Sequence, residues 1–331
     1  MTIPTIPPLP QILKDAASAG NLVPFVGAGA SRLAGCPSWS EFADRALEFL
    51  VERDKLSYGD FDQLSDQNPR VKLSIARGLA HAASLQIDFE KILYPDPKNR
   101  NTNLNGRRLY DALSKLGTTF VTTNYDDWLD TIIGAPPPSI NTTTSQTASA
   151  VRLKPAVFYN VEDLTVANLL PNTVLHLHGS IADPRSMVLT TRDYVTHYEN
   201  YHRAGGLKKP NDLLDFLDFL FKEKNVLFVG YGLDELEILE YVINKARLTL
   251  DPGKVQLRHF LLQGFFSHEE ALARNLAPYY AECGVELLPF SKEHKNWGQL
   301  IDILEEYARL APAGTPLTVQ RLVEMEALLD E

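Results

Sequence analysis

An α/β fold with a doubly wound, mainly parallel sheet is what this sequence predicts, and three observations carry that prediction. Short apolar, β-branched runs such as VPFVG (23–27), FVTT (120–123) and LFVG (227–230) alternate along the chain with amphipathic helical stretches. The runs lack the strict polar alternation of a half-exposed strand, as expected of strands covered by helices on both faces. Each run breaks off in glycines or polar residues, and an open parallel sheet binds its ligands outside the carboxyl ends of its strands.

Taken in order, the proline-rich residues 3–10 lead into a short helix, QILKDAASAG, that stops at Gly20 as helices often do. The VPFVG strand follows, and then PSWSEFADRALEFLVERD, an amphipathic helix with Trp39, Phe42, Ala46, Phe49 and Leu50 on or near one stripe. Residues from about 55 to 108 are polar and helix-leaning, with a Pro- and Asn-rich break, and read as a helical insertion. GTTFVTTNYD (117–126) is the second strand, GAPPPSINTTTSQTAS (134–149) a long loop, and TVLHLHGS (173–180) the third strand. DLLDFLDFLFKEKN is a strongly apolar helix feeding a fourth strand, VLFVGYG (226–232). LRHFLL and GVELLPF are later strands, and WGQLIDILEEYARL is a closing helix. Thr315 and Pro316 suit the cap and first position of a last helix running to Leu329. No internal repeat is visible.

Composition narrows the classes of function. The 331 residues are 44% hydrophobic, enough for a large core in one domain with an insertion, or in two. A net charge of −10 argues against a nucleic-acid surface, which needs clustered Lys and Arg. The basic stretch HRAGGLKK (202–209) reads as a solvated loop. No apolar run reaches the length of a membrane span, and MTIPTIPPLP lacks the basic-then-apolar layout of a signal peptide. Two cysteines, Cys36 and Cys283, can build neither a disulfide framework nor a four-cysteine zinc site. The expectations are a protein of the reducing cytoplasm, no membrane or nucleic acid as partner, and no metal.

Four strand tips hold the candidate chemistry: Gly27-Ala28-Gly29-Ala30-Ser31, Asn124-Tyr125-Asp126, His178-Gly179-Ser180 and Gly230-Tyr231-Gly232. Each tip alone has a plainer reading. Gly27 and Gly29 suit a bare structural turn, and the third glycine of the dinucleotide fingerprint is replaced by Arg32. Asn124 and Asp126 suit a helix cap. Gly230 and Gly232 suit close packing, and His176 and His178, alternating with leucines on one face, suit a structural role. Together on one sheet edge the four tips make a ligand site.

The same segments carry a resemblance. GAGAS, Gly35-x-Pro37, TTNYD, LHGS and FVGYGLDE, in that order, resemble the motifs of the sirtuin family. The similarity is closer still to its bacterial sirtuin-like branch, associated with NAD hydrolysis and defence against phage, and spans roughly residues 10 to 310. It implies a Rossmann-like sheet that binds NAD, with Gly27, Ala28, Gly29 and Ser31 lining the diphosphate. It places Asn124 and Asp126 at the ribose and the nicotinamide amide, His178 as the catalytic histidine, and Gly230 and Gly232 towards the adenosine-side ribose. His176 is a weaker catalytic candidate.

The departures are equally specific. The four-cysteine zinc module of protein-deacylating sirtuins has no counterpart, and the family's G-x-P-D-F-R becomes Gly35-Cys36-Pro37-Ser38-Trp39-Ser40. No strand after LHGS matches the one that clamps an acyl-lysine peptide. The resemblance therefore implies an NAD+ glycohydrolase using water, in which Asn124 and His178 are catalytic and NAD is the substrate. An NAD-dependent deacylase and a non-catalytic NAD or ADP-ribose sensor are the alternatives.

The expected organisation is a catalytic domain over residues 1–311 and a C-terminal helix over 312–331. Val319, Leu322, Val323 and Leu329 give that helix a partly apolar face, and DLLDFLDFLF is also unusually apolar. Both either pack on their own core or contribute to a homo-oligomer and the docking of a separately encoded, HerA-type ring ATPase.

Overall fold

The computed structural model describes residues 3–96, 102–132, 155–199, 201–204, 207–231 and 259–314. The expected loop at 134–149, Gly232 and the expected helix beyond Thr315 lie outside them.

Helix α1 (Gln11–Ser18) ends before Gly20, which takes a positive φ of 66°, and the chain enters strand β1 (Leu22–Val26). A short helix α2 (Ala28–Leu33) starts directly on the glycine turn. Ser38 then opens α3 (Trp39–Val51) with a capping box: the Glu41 amide donates to the Ser38 hydroxyl, and the Ser38 amide donates to the Glu41 carboxylate. The helix-leaning stretch contains α4 (Tyr58–Gln63), α5 (Pro69–Ala82), α6 (Phe89–Leu93) and the first turn of α7 (Leu104–Leu116). α7 itself packs on the sheet and on the closing helix, so it is the crossover between β1 and β2 (Thr119–Thr122).

After α8 (Trp128–Ile132) come β3 (Ala156–Phe158), β4 (Thr173–His176) and α9 (Thr191–His197). The sequence pattern shows neither β3 nor α9. The basic stretch read as a solvated loop is instead an antiparallel hairpin of β5 (Tyr201–Ala204) and β6 (Leu207–Pro210). Its strands are too short for alternation to signal them. The chain then runs through α10 (Asp212–Glu223), β7 (Asn225–Val229), β8 (His259–Phe265), α11 (Glu270–Glu282), β9 (Val285–Ser291) and α12 (Gln299–Leu310).

The main sheet is seven-stranded and parallel throughout, in the order β3-β4-β2-β1-β7-β8-β9. β1 is the switch point: the next strand in sequence lies on one side of it, and β7 lies on the other. Side chains divide between the two faces by the pleat. Leu22, Val26, Phe120, Val174, Val229 and Phe260 join one core with α1, α3, α7 and α12. Val23, Phe25, Val121, Leu175, Phe228 and Leu261 join the other with α10 and α11. Helix α10 spends its apolar face there, burying Leu213, Phe216, Leu217, Leu220 and Phe221 against the protein's own sheet. Among the described residues no helix is long and apolar enough to cross a membrane.

Candidate functional site

The tips of β1 and β7 interlock through backbone alone. Gly27 N–H donates to the Val229 carbonyl at 3.0 Å, and Gly29 N–H donates to the Gly230 carbonyl at 2.7 Å. A Cβ on Gly27 would lie 2.6 Å from the Cα of Tyr231, and one on Gly29 would lie 2.8 Å from the Gly230 oxygen. Gly230 has a φ of +62°, and a Cβ there would lie 2.3 Å from the Ala30 amide nitrogen. The packing reading of these glycines thus holds in full, and its consequence is functional. With no side chains between them, the turn and the start of α2 stand open to a cavity at the switch point.

That cavity has a volume of about 810 Å³, a size suited to a small organic ligand. All four tips line it: Ala28, Gly29 and Ser31; Asn124 and Asp126; His178; and Gly230 with Tyr231. The sheet edge therefore brings the candidates together, except Gly232, which lies outside the described residues, and His176. Gly27 stands behind the lining, where its carbonyl accepts a hydrogen bond from the Asn124 side-chain amide at 2.9 Å.

The second tip is tied to the first. Asn124 Nδ2 is committed to Gly27, which leaves its amide oxygen to meet a ligand, and its own backbone amide donates to Thr122 Oγ1 at 3.0 Å. Ser31 Oγ donates to one oxygen of Asp126, and the Trp128 amide donates to the other at 3.2 Å. Asp126 thus does act near the start of α8 as the capping reading expects, while also lining the cavity. Burial raises its carboxyl to about 6, against the opposing pull of Ser31, the Trp128 amide and the charge of His176.

The two histidines part company. His176 Nδ1 donates to the Asn124 carbonyl at 2.8 Å, and Nε2 to Asp130 Oδ1 at 2.9 Å. Both partners accept, so both ring nitrogens carry hydrogen. Burial alone would disfavour that cation, but the Asp130 carboxylate outweighs it and holds the pKa above the usual histidine value. His176 is a buried brace that links the tips of β2 and β4 and stands outside the cavity lining.

His178 lies one residue beyond the Leu177 that follows β4, and it does line the cavity. Its Nε2 is 2.8 Å from the Tyr198 hydroxyl and its Nδ1 is 3.4 Å from that of Tyr194. Hydroxyls can donate or accept, which suits a neutral ring. Burial, then the neighbouring His197 and Arg70, push its pKa well below the ordinary value. A neutral, buried imidazole at the mouth of a strand is equipped to take a proton.

Several cavity residues have no signal in the pattern of strand tips. Asn68, Pro69 and Arg70 come from the helical insertion, Tyr194 from α9, and Gln263, Trp297 and Leu300 from the C-terminal third. Gln263 Oε1 is buried with no hydrogen-bond partner among the described residues. Trp39 and Ser38 occupy the position where the resemblance departs. Ser38 is consumed as the cap of α3, and Trp39 stacks on Phe42 and packs against Tyr125, with ring centroids 5.9 and 5.7 Å away. Cys36 lines the cavity too, but burial and then the charges of Asp126 and Asp127 drive its thiol far above the usual range, so it is no nucleophile. Among the described residues no group of three or more His, Cys, Asp or Glu side chains is placed to hold a metal ion.

Comparison with known proteins returns one family. No curated protein matches the chain. A scan against models of protein families matches residues 118–288, more than half of the chain, to the SIR2-like domain. The matched segment runs from the TTNYD tip through the two histidines and the β7 glycines to β9, and so contains three of the four tips around the cavity. With the parallel sheet, the glycine interlock and the histidine at the edge, it follows that the chain belongs to the SIR2-like domain family, whose members use NAD.

Proposed function

We propose that the protein is an NAD+ glycohydrolase that cleaves NAD to nicotinamide and ADP-ribose with water as the acceptor. The observation that carries this reading is the placement of a neutral His178 and the Asn124 amide on the same cavity as the glycine turn. Binding alone would not call for that pair.

The residues present suit the dinucleotide. Gly27, Gly29 and Gly230 keep clear a cradle that any Cβ would fill, beside the start of α2. Gln263 Oε1, a buried acceptor without a partner among the described residues, calls for a donor such as an amino group or a ribose hydroxyl. Arg32, also on the cavity, supplies positive charge for a diphosphate.

Breaking the bond between nicotinamide and ribose builds positive charge on the sugar, and the water oxygen then bonds to the same carbon. Asn124 orients the ribose or the water through its amide oxygen. His178 receives the proton of a ribose hydroxyl or of the attacking water and releases it to solvent. Asp126, on the same wall, favours the cationic sugar when it is ionised. The insertion residues Asn68 to Arg70 and Trp39 line the same cavity as the glycine turn, and their bulk beside it suits a small acceptor such as water.

Incubating the purified protein with NAD, with and without an acyl-lysine peptide, and identifying the products tests the proposal. Free ADP-ribose in both arms supports it. Acylated ADP-ribose only with peptide identifies a deacylase, and unchanged NAD with measurable binding identifies a sensor. Following the family resemblance, we further propose that NAD depletion serves defence against phage, restrained or triggered through self-assembly or a HerA-type ATPase. Loss of protection in cells carrying the His178→Ala protein is the corresponding test.

A further inference from the structure

Two helices that the strand tips do not foreshadow meet at His178. The first is α5, whose Asn68 cap accepts from the Arg70 amide at 2.9 Å and whose opening residues form one wall of the cavity. The second is α9, which brings Tyr194. The Arg70 guanidinium lies 3.6 Å from the centroid of the Tyr194 ring, and that ring meets His178 edge-on with centroids 5.0 Å apart. The two helices are fastened again further along. Arg77 of α5 pairs with Asp193 of α9 at 2.6 Å, and the Thr191 amide donates to Ser74 Oγ at 3.2 Å. Asp193 is also part of the capping box that starts α9. A displacement of α5 is therefore passed to Tyr194.

We propose that Arg70 is a positioning residue for His178: its guanidinium pins the Tyr194 ring, and Tyr194 sets the plane of the imidazole. The inference rests on His178 as the group that takes a substrate proton, and it assigns control of that group to the helical insertion rather than to the sheet edge. The charged and titratable groups around the ring are consistent with it. Tyr194 and His197 belong to α9, Tyr198 follows it, and Arg70 comes from α5. Asp126, Arg32 and Cys36 line the same cavity from the tips of β1 and β2. Of these groups His197 and then Arg70 act on His178 through charge, and a like charge nearby disfavours imidazolium. A stacked guanidinium does this with a fixed orientation that a lysine reproduces only as charge.

The experiment is a titration of His178 by histidine side-chain NMR, with the His178→Gln protein used to identify its signal. This reads the ring directly and requires no turnover, so a failure of the glycohydrolase reading would leave the result interpretable. In Arg70→Gln the titration midpoint should rise, and in Arg70→Lys, which keeps the charge, by much less. An unchanged midpoint in a folded Arg70→Gln protein, or an equal rise in Arg70→Lys, would overturn the proposal. If Arg70→Gln does not give a folded spectrum, Arg70→Met, which keeps the apolar stem and removes the charged fork, is read by the same criteria: a raised midpoint supports the assignment, and an unchanged one overturns it. Where turnover is measurable, Arg70→Gln should lower kcat with the Kd for NAD changed less, since a merely structural loss would weaken both.

Discussion

Gly29 gives its backbone N–H to the carbonyl of Gly230 at 2.7 Å, which fastens the central strand of the sheet to its neighbour across the switch point with no side chain between them. Gly230 is the less replaceable of the two, because its φ of +62° and the 2.3 Å approach to Ala30 both exclude a Cβ. Gly230→Ala is expected to cost about 1–3 kcal/mol from the backbone conformation alone. It should also push the β1 turn out of register and weaken NAD binding more than tenfold. Thermal denaturation and calorimetric titration check both parts, and near-native binding would show that the turn tolerates a shift.

Asn124 has two duties in the structure, since its amide nitrogen braces Gly27 and its oxygen is left for a ligand. Asn124→Ala should therefore block turnover and also loosen binding through the glycine turn, with the larger effect on kcat. Steady-state kinetics beside a binding isotherm decide this. A variant that binds tenfold worse yet turns over normally at saturation would reduce Asn124 to its bracing duty.

His176 is expected to matter for stability rather than for chemistry. His176→Ala leaves Asp130 without its partner, and breaking a buried pair costs about 3 kcal/mol. The sign of the pH effect follows from the raised folded pKa. The stabilisation is full below the ordinary histidine value near 6.5 and fades as pH rises through the folded value. Denaturant unfolding at pH 6 and pH 9 should show the native protein losing more stability than the variant over that range.

The parallel sheet and its ligand edge were legible in the sequence because both rest on local signals: apolar runs of strand length, and glycines or polar residues where they stop. The cavity's far wall was not. Asn68 and Arg70 begin a helix in a polar stretch, and nothing about their spacing says that α5 lines the same cavity as the glycine turn. α9 is seven residues long, too short for periodicity to announce, yet it holds Tyr194 and His197, two of the three rings that meet His178 edge-on. Alternation correctly set His176 and His178 apart from Leu175 and Leu177, which share one core. It could not say that the strand ends at His176 and leaves one histidine in a brace and the other at a cavity.

The pH dependence of turnover is expected to report Asp126 rather than the histidine. Burial depresses the His178 pKa well below the usual value, so the ring stays neutral where an ordinary histidine takes up a proton. Asp126, with its carboxyl raised to about 6, takes up a proton in that same region of pH. Protonation removes the negative charge that favours a cationic sugar, so turnover should fall with a midpoint near pH 6. The Asp126→Asn protein should be slower and should lack that limb, whereas His178→Ala should lose roughly 10²–10⁴-fold at every pH. Stability should move the opposite way to rate. Because the folded pKa lies above the unfolded one, the folded state binds the extra proton between about pH 4 and 6, so stability falls as pH rises through that interval and levels off above it. Asp126→Asn should therefore be at least as stable as the native protein at neutral pH, provided the amide keeps the Ser31 contact. A rate profile that retains an acid limb near 6.5 in Asp126→Asn would assign the titration to a histidine of ordinary pKa instead.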